Sequence, residues 1–313
     1  MNRIHVAAAV IRSPDGLVLI AKRPLDKHQG GLWEFPGGKV EAGETVEAAL
    51  ARELQEELNI AVTETRPLIQ VRHDYPDKQV LLDVWEVLAF LGEPHGAEGQ
   101  PLAWVEPADL PNYRFPAANR PIITAARLPD QYLITPDGLS PQQLLGGVAR
   151  ALDAGIRLIQ FRAPSLPHVA YRALAAEIIA MCSGRAQLML KGPLEWADEF
   201  PVAGWHLTAE QLRDHAGQGR PLPLRQWLAA SCHDAAELDL AMAMGVDFVT
   251  LSPVLRTATH PGAQPLGWPR AAELLVGFSQ PAYMLGGLGP ADLAQALRVG
   301  GQGVAAIRAF WPH

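Results

Sequence analysis

Three glutamates and an arginine between residues 52 and 57 have a spacing that can do chemistry. The segment from Gly37 to Ile60 reads GGKVEAGETVEAALARELQEELNI. On a helix, Glu53, Glu56 and Glu57 stand at i, i+3 and i+4, so their carboxylates share one face. Neighbouring carboxylates repel one another, and a hard divalent cation relieves that repulsion while binding phosphate with its remaining positions. The pattern predicts metal-assisted phosphate chemistry.

The helix that carries these acids needs a face to pack and a point at which to end. Ala51, Leu54 and Leu58 stand at i, i+3 and i+7 and predict an apolar stripe, with the acids facing outward. Asn59 is expected to end the helix in a left-handed conformation, which asparagine tolerates better than most residues. The alternative is a solvated, glutamate-rich surface helix that matches the pattern by accident.

The spacing from Gly38 through Glu44 to the Arg52–Glu57 run resembles the Nudix box, a pyrophosphohydrolase signature. One position departs from it, because Asn59 stands where the family has glycine. The resemblance implies an enzyme that needs Mg²⁺, with Mn²⁺ as a substitute. It also implies a domain made of a mixed sheet between helices.

Four further segments resemble MutT-type 8-oxo-dGTP diphosphatases within that family: LWEFPGGK, DYPDKQ, GEPHGAEGQPLAW and FPAANRPI. The resemblance implies metal ligands at Glu53, Glu56, Glu57, Glu98 and the carbonyl of Gly37. It implies substrate-binding residues at Arg23, Phe35, Asp77, Lys78 and Asn119, with Lys78 standing where an arginine is expected.

Asn119 is the residue from which we expect specificity. Oxidation of guanine at C8 turns N7 from an acceptor into an N–H donor, and an amide offers an acceptor and a donor together. Two purely structural alternatives remain open. Asn119 could be a helix N-cap before IITAARL, and Glu98 could be an ordinary acid on a loop. Phe35 could equally be a core residue.

The implied reaction is attack of water on the β-phosphorus of a small nucleotide, which releases the nucleoside monophosphate and pyrophosphate. The resemblance makes 8-oxo-dGTP the substrate and dGTP a poorer one, so the enzyme would sanitise the nucleotide pool and prevent mutation. Glu53 is the expected base and Glu98 its competitor, while Arg52 is expected to orient the glutamates by pairing with Glu56. The alternative within this class is another Nudix triphosphate pyrophosphatase.

Length and composition set further bounds. At 313 residues, the chain predicts two domains, which we place at residues 1–129 and 130–313. The net charge of -7 argues against a nucleic acid polymer as partner. Cys182 and Cys232 have no metal-binding spacing, which indicates reduced thiols and a cytoplasmic location. The first residues read as a hairpin rather than a signal peptide, and no stretch reaches the length of a membrane span.

From Gln131 onward the rhythm changes to alternating strands and helices. Eight apolar strand candidates follow: YLIT, RLIQFR, AQLMLK, GWHLT, LAASCH, DFVTLSP, AYMLGG and GVAAIRAF. Eight parallel strands with intervening helices predict a closed (β/α)₈ barrel. The last candidate ends close to the final residue, so we expect its outer face to be covered either by residues 122–128 or by a second copy of the chain in a homodimer.

Several segments of this half resemble thiamine phosphate synthase and TenI proteins, among them YLITPDG, LIQFRAP and AGWHLTAEQL. Arg162 matches the pattern, but the family's functional positions are otherwise replaced, by Pro164, Lys191-Gly192, Gln211, Pro253, His260 and Arg308. A phosphate site remains open at Arg162, Thr257, Thr259, Gly286 and Gly287. The barrel is thus either a scaffold without chemistry or a phosphate-ligand sensor, and a thiamine-pathway transferase is the alternative function for the whole chain.

Overall fold

The computed structural model describes residues 3–25, 29–257 and 262–312. The chain divides into two compact units. One consists of Met1–Arg127 with Gly277–Ser279, and the other of Leu128–Val276 with Gln280–His313. No helix in the described ranges is long and apolar enough to span a membrane.

The N-terminal unit is built on one mixed sheet. Its strands are β1 (Ile4–Arg12), β2 (Val18–Lys22), β3 (Trp33–Glu34), β4 (Gly37–Lys39), β5 (Ala61–Asp74), β6 (Gln79–Leu91) and β7 (Leu102–Val105). The order is β3-β2-β1-β6-β5, with β4 paired to β1 and β7 to β2. β1 and β6 are parallel and the other pairs antiparallel. The two helices are α1 (Val46–Leu58) and α2 (Arg120–Arg127).

The hairpin expected at the start of the chain is formed by β1 and β2. Ile11 lies opposite Leu19 in the antiparallel register, and Gly16 turns the chain with a φ of 85°. A positive φ of this size is strained for residues other than glycine.

Alternation along β1 places its residues in two cores, one on each face of the sheet. Ala7, Ala9 and Ile11 belong to the core beneath α1, whereas Ala8 and Val10 belong to the core beneath α2. The sheet therefore lies between the two helices, and the predicted Nudix-type layering is confirmed.

The predicted apolar stripe of α1 was wrong at one position. Ala51 is exposed, and the buried stripe runs through Leu50, Leu54 and Leu58, with Ala49 beside it. A stripe at i, i+4 and i+8 turns the larger leucine side chains towards the sheet and leaves the small alanine on the flank.

The C-terminal unit is a closed barrel of eight parallel strands, as predicted. They are β8 (Gln131–Ile134), β9 (Leu158–Arg162), β10 (Gln187–Lys191), β11 (Gly204–Leu207), β12 (Leu228–Cys232), β13 (Phe248–Leu251), β14 (Ala282–Leu285) and β15 (Gly303–Ala306). The helices are α3 (Pro141–Asp153), α4 (His168–Cys182), α5 (Ala209–Asp214), α6 (Ala235–Met244), α7 (Gly267–Leu275) and α8 (Leu293–Arg298).

Aromatic side chains fill the barrel interior. Tyr132, Phe248 and Tyr283 pack with ring centroids 5.3 to 5.7 Å apart, and all three are fully buried. Trp311 lies against Gly147 of α3, where a Cβ would collide with the indole ring. How the outer face of the last strand is covered stays a prediction.

A buried acid ties three segments of the N-terminal unit together. The side chain of Glu86 on β6 is 2% exposed and pairs with Arg12 on β1 and, at 2.6 Å, with Arg66 on β5. Burial by itself would raise the pKa of Glu86, but the charges and hydrogen bonds of both arginines bring that pKa below its ordinary 4.5. The carboxylate is therefore charged at neutral pH and offsets two guanidinium groups.

We expect Glu86→Gln to lower the free energy of unfolding of this unit by about 3 kcal/mol at pH 7, because it leaves two arginines without their counter-charge. Hydrogen exchange measured by mass spectrometry on peptides from β5 and β6 reports the loss. Glu64→Gln, which alters an exposed glutamate on β5, is the control and should change little.

The pH dependence of that difference follows from the lowered pKa. The contribution of Glu86 is fully present above pH 4.5 and is lost as the pH falls through its folded-state pKa. The gap between wild type and Glu86→Gln should therefore narrow below pH 4.5. A constant gap through this range would contradict the assignment.

Candidate active site

The helix α1 ends at Asn59 as the sequence predicts, and the structure also shows how it begins. Thr45 is its N-cap and accepts a hydrogen bond from the backbone N–H of Ala48 at 3.2 Å. Asn59 ends it in the left-handed conformation, with φ 55° and ψ 40°. The helix is therefore held at both ends, which fixes the height of its acids above the sheet.

Two glycines of β4 let the acids of α1 approach the backbone. A Cβ on Gly38 would collide with the carboxylate of Glu53. Gly37 has a φ of 142°, and a Cβ there would collide with the backbone of Ala7 on β1. A side chain at Gly38 would therefore push the strand away from the helix, and one at Gly37 would push it away from β1.

Glu57 turns inward at this contact. Its Oε2 accepts a hydrogen bond from the backbone N–H of Gly37 at 3.1 Å. Burial raises the pKa of Glu57 to about 7, and the charges of Glu34, Glu53 and Glu98 act in the same direction against the Gly37 hydrogen bond. Glu57 thus lies in a cluster of negative charge, partly removed from water.

Arg52 connects the outer acids to one another. Its Nε and Nη2 donate to the two oxygens of Glu44 at 3.0 Å each, and Nη1 donates to Glu53 at 2.8 Å. The expected contact with Glu56 is present at 3.4 Å and is the longest of the set. Nη2 also donates to the carbonyl of Lys39. The hydrogen bonds to Glu44 and Glu53 raise the pKa of Arg52 further above its ordinary value.

Glu98 lies on an exposed loop that is tied to the end of α1. The Ala97 backbone N–H and the Gln100 side chain both donate to the carbonyl oxygen of Glu57 at 2.9 Å. Gln100 in turn accepts from the backbone N–H of Glu98. The loop is thereby held close enough for the Glu98 charge to raise the pKa of Glu57.

The three glutamates of the helix do not converge on one point. Glu53 and Glu57 lean towards the glycines, whereas the Glu56 side chain is 60% exposed. Within residues 3–25, 29–257 and 262–312, no group of three His, Cys, Asp or Glu side chains is arranged to hold a metal ion by itself.

The donor chemistry nevertheless fits a hard divalent cation. Carboxylate oxygens are the ligands that such cations prefer, and a cation would offset the charges of Glu34, Glu53 and Glu98 around the buried Glu57. Small divalent cations are commonly bound by one or two carboxylates together with substrate phosphates and water. The residues that could hold it are Glu53, Glu56, Glu57, Glu98 and the carbonyl of Gly37.

A cavity of about 270 Å³ opens beside the glycines. It is lined by Arg23, Gln29, Glu34, Phe35, Gly37, Gly38, Lys39, Tyr75, Lys78 and Asn119, with apolar residues of β1 and β6. Phe35 is 4% exposed and stacks on Phe115 with centroids 5.3 Å apart, so it is both a core residue and part of the wall.

Asn119 lies in a short 3₁₀ turn, Ala117–Asn119, directly before α2. Its side chain is 8% exposed and lines the cavity. Its backbone N–H donates to the carbonyl of Pro116, whereas its side-chain amide makes no hydrogen bond, capping or other, with the described part of the chain. The N-cap alternative is therefore wrong, and the amide faces the cavity with its donors and acceptor available.

The remaining predicted substrate residues divide into two groups. Arg23 and Lys78 line the cavity; Arg23 pairs with Glu34, and the Nζ of Lys78 lies 5.7 Å from the centroid of the Tyr75 ring. Asp77 is exposed and does not line the cavity, so the structure does not bring it together with the others.

Two acids near this site were not among the predicted catalytic, metal-binding or substrate-binding residues. Burial raises the pKa of Glu34 against the effect of its partner Arg23, and Glu44 is the two-point partner of Arg52. Glu34 directly precedes Phe35, and Glu44 occupies a fixed position of the Nudix box. These two positions in the sequence could therefore have identified both glutamates as candidate site residues.

The barrel has its own cavity, of about 390 Å³, at the carboxyl ends of its strands. Arg162, Lys191, His206, Ser231, Thr257 and Gly286 line it. A smaller cavity of about 240 Å³ brings Thr257 together with Gly286 and Gly287, both at positive φ. Of the predicted phosphate-site residues, Thr259 lies outside the described residues, as does His260.

The replaced positions of the barrel carry structural contacts instead of acids. Gln211 accepts from the backbone N–H of its N-cap Thr208 at 2.9 Å and donates to the carbonyl of Gly192 at 2.8 Å. Among the described residues that line the 390 Å³ cavity there is neither aspartate nor glutamate. The cavity is therefore cationic.

Comparison with known proteins supports the family resemblance of each half of the chain. A NUDIX domain model matches residues 7–125, and a thiamine monophosphate synthase model matches residues 131–310. An 8-oxo-dGTP diphosphatase of Escherichia coli (strain K12) is 39% identical over 123 residues, which cover 39% of this chain and 95% of the relative. A CTP pyrophosphohydrolase of the same organism is 38% identical over 125 residues, covering 40% of this chain and 92% of the relative.

The barrel half is similar to a thiamine-phosphate synthase of Methanosarcina barkeri (strain Fusaro / DSM 804). Identity is 27% over 181 residues, which cover 58% of this chain and 82% of the relative. Fold and site thus define a hydrolase domain joined to a (β/α)₈ barrel.

The chain belongs to the Nudix hydrolase family in its N-terminal part and to the thiamine monophosphate synthase family in its C-terminal part. It is an enzyme of the Nudix pyrophosphohydrolase type, and family membership implies a divalent metal cofactor.

The close contact at Gly38 leads to a prediction. Gly38→Ala should place a methyl group against the Glu53 carboxylate and lower kcat for nucleoside triphosphate hydrolysis about a hundredfold, because small displacements of a reacting group are costly. Pyrophosphate release is the measurement, and circular dichroism checks the fold.

A double-mutant cycle distinguishes this effect from general damage. If Gly38→Ala acts by displacing Glu53, it should cost little more in a Glu53→Gln background. Fully additive losses would show that Gly38 acts through another part of the site.

Proposed function

We propose that the N-terminal unit hydrolyses 8-oxo-dGTP, and dGTP less efficiently, to the nucleoside monophosphate and pyrophosphate. The observation that carries this proposal is the Asn119 amide, which is buried in the wall of the 270 Å³ cavity without a protein partner. The 8-oxo-dGTP diphosphatase relatives support it as well. Such an activity removes an oxidised nucleotide from the pool and prevents mutation.

The amide suits the oxidised base for a simple reason. In 8-oxoguanine, O6 accepts and N7–H donates along one edge, so the Asn119 amide can donate to O6 and accept from N7–H. In guanine both O6 and N7 are acceptors, and the amide oxygen would be left without a partner. An unpaired buried acceptor costs about 1 to 3 kcal/mol, which produces the preference.

The chain's own residues would divide the work of the reaction. Phe35, with Arg23 and Lys78, holds the base and the sugar phosphate, while Arg52 holds Glu53 and Glu56 in place. Glu53 takes the proton from the water that attacks the β-phosphorus, with Glu98 as the competing base. Asp77, which is exposed outside the cavity, would contribute only through its charge near Tyr75.

The proposed cofactor is Mg²⁺, with Mn²⁺ as a substitute, held by Glu53, Glu56, Glu57, Glu98 and the Gly37 carbonyl. When bound, it would activate water and neutralise charge on the phosphoryl oxygens. The clustered acids around Glu57 support this assignment because their repulsion requires a cation.

Other Nudix specificities are the competing explanation, and the similarity to a CTP pyrophosphohydrolase names a definite one. Steady-state kinetics on 8-oxo-dGTP, dGTP and CTP test it directly. We expect the highest kcat/KM for 8-oxo-dGTP. A higher value for CTP than for 8-oxo-dGTP would overturn the proposed substrate.

For the barrel we propose an anion-binding role without thiamine phosphate synthesis. Arg162, Thr257, Gly286 and Gly287 support a phosphate site, and Thr259 is part of the same proposal. We further propose a functional boundary at residues 129 and 130 and a cytoplasmic location, which the two buried, unpaired cysteines support. The homodimer stays a prediction.

Glu53→Gln should lower kcat for 8-oxo-dGTP at least a hundredfold while the fold is kept, because it removes a charged group aligned with the reaction. Glu47→Gln, an exposed glutamate on the same helix, is the matched control and should retain wild-type turnover. Wild-type turnover in Glu53→Gln would reject its role, and loss in Glu98→Gln alone would transfer that role to Glu98.

Asn119→Ala should remove most of the preference for 8-oxo-dGTP over dGTP, about 2 to 4 kcal/mol in the ratio of kcat/KM, while dGTP turnover changes far less. Asn112→Ala, which truncates an exposed asparagine of the same unit, controls for general effects. Equal losses on both substrates would mean that Asn119 supports the structure instead.

A further inference from the structure

Lys191 is unusual in this chain by its type and its position. The sequence has 21 arginines but five lysines, and Lys191 is the sole lysine after residue 78. It is the last residue of β10 and lines the 390 Å³ cavity at the barrel mouth. A chain that otherwise uses arginine in this half therefore has its one amine inside a cavity.

The surroundings of Lys191 make its amine easier to deprotonate than an ordinary lysine amine. Its Nζ donates to the Ser231 hydroxyl at 2.8 Å, and no carboxylate pairs with it in the described part of the chain. Arg162 stands beside it in the register of β9 and β10. Burial, and then the Arg162 charge, lower the pKa of Lys191 to about 8. An arginine at this position could not lose its proton.

A buried chain of hydrogen bonds orients the Ser231 hydroxyl. Gln160 donates to the Tyr132 hydroxyl at 2.9 Å, and that hydroxyl contacts Nδ1 of His206 at 3.0 Å. Among the described residues, Nδ1 of His206 is the acceptor within reach of the Tyr132 hydroxyl proton, so we assign Tyr132 as the donor to Nδ1. Nε2–H of His206 then faces Ser231 at 3.1 Å. Burial lowers the pKa of His206 well below its ordinary value, so the ring is neutral.

It follows that Ser231 has a proton to give. Its oxygen accepts from His206 on one side and from Lys191 on the other, so its own O–H is directed elsewhere, towards the cavity. A proton donor next to a neutral amine is the pair that addition to a carbonyl group requires.

The rest of the cavity indicates the charge of the ligand. Arg162 lines it together with Thr257 and Gly286, and no acid does so among its described residues. Arg162 gives the cavity a permanent positive charge, which favours an anionic ligand. A phosphate group bound there would bring an attached carbonyl close to the amine.

We propose that the barrel mouth is a carbonyl-binding site in which Lys191 forms an imine with a small aldehyde or ketone that carries a phosphate group. The Nζ lone pair attacks the carbonyl carbon, and Ser231 protonates the carbonyl oxygen and recovers a proton from the nitrogen. The carbinolamine then loses its hydroxyl and the second amine proton as water. C=N replaces C=O, with no oxidation or reduction.

The inference extends the anion-binding role proposed for the barrel and is independent of nucleotide hydrolysis. Pyridoxal 5′-phosphate is the probe, added to the full-length protein and followed by borohydride to reduce any imine to a stable amine. Peptide mass spectrometry then locates the label, and the other four lysines serve as internal controls. We expect Lys191 to be labelled at least tenfold faster than any of them.

Two comparisons separate the amine from the anion site. Pyridoxal without the phosphate should label Lys191 at least tenfold more slowly. Equal rates would support imine formation at Lys191 but would reject the contribution of the phosphate group. Lys191→Arg and Lys191→Met should abolish labelling in the barrel while circular dichroism stays native. Labelling spread evenly over all lysines, or absent from Lys191, overturns the proposal.

The pH profile is a further check. The charged and titratable groups around Lys191 are Arg162 on β9, Tyr171 on α4, His206 on β11, Glu210 on α5 and His233 after β12. Labelling of Lys191 should level off near pH 8 rather than near the ordinary lysine value of 10.5. Arg162→Gln should move the profile to higher pH, because removing a positive neighbour stabilises the protonated amine. A profile that does not move would reject this account of the amine.

Discussion

The approach of two helix carboxylates to the glycines of β4 is the contact on which the hydrolase site depends. Glu57 accepts from the Gly37 N–H, and Glu53 lies against Gly38, where a Cβ would collide with its carboxylate. The strand is positioned by its pairing with β1, and the helix by its buried leucines. The acids are thus held by regular elements, which position reacting groups better than loops do. Loop residues such as Glu98 add charge to this arrangement without setting its geometry.

The same contact brings several carboxylates close together, and the basic side chains of the protein offset only part of their charge. Arg52 neutralises the outer acids, since its contacts reach Glu44, Glu53 and Glu56. Glu57 has no basic partner among the described residues, and burial, with the charges of Glu34, Glu53 and Glu98, raises its pKa. A site in this condition stabilises a divalent cation and, through it, the phosphates of a nucleotide. The barrel mouth has the opposite polarity, with Arg162 and Lys191 and no acid among its described lining residues, so an anion can bind there directly.

Local sequence patterns predicted the main helix of the hydrolase site and the strands of the barrel. Helical spacing predicted α1 and the left-handed Asn59, and apolar runs predicted the eight barrel strands. Ala51 was misplaced because periodicity alone does not determine how a helix is rotated towards a sheet whose strands come from elsewhere in the chain. Asp77 was carried over by resemblance, yet its exposure depends on the conformation of a turn that the motif does not determine.

Contacts between residues far apart in the sequence could not be predicted from local sequence patterns. The two-point pairing of Arg52 with Glu44 requires the loop before α1 to fold back on the helix. The contact of Lys191 with Ser231 joins neighbouring regions of the barrel that are 40 residues apart in sequence. From sequence, Lys191 was visible merely as a departure from a family motif, and its partners became apparent once the strands were closed into a barrel.

Those partners also determine what the barrel can do. A transferase of pyrophosphate esters needs acids to hold a metal against the leaving group. At the position of one such acid, Gln211 has its oxygen occupied by the Thr208 N–H and its nitrogen by the Gly192 carbonyl. That side chain joins the start of α5 to the loop after β10, and as a neutral amide it offers a cation no negative charge. The basic side chains of this cavity are Arg162 and Lys191, so the ligand that we propose for it must be small enough to reach them directly. A phosphate monoester satisfies that condition with less charge to neutralise than a pyrophosphate.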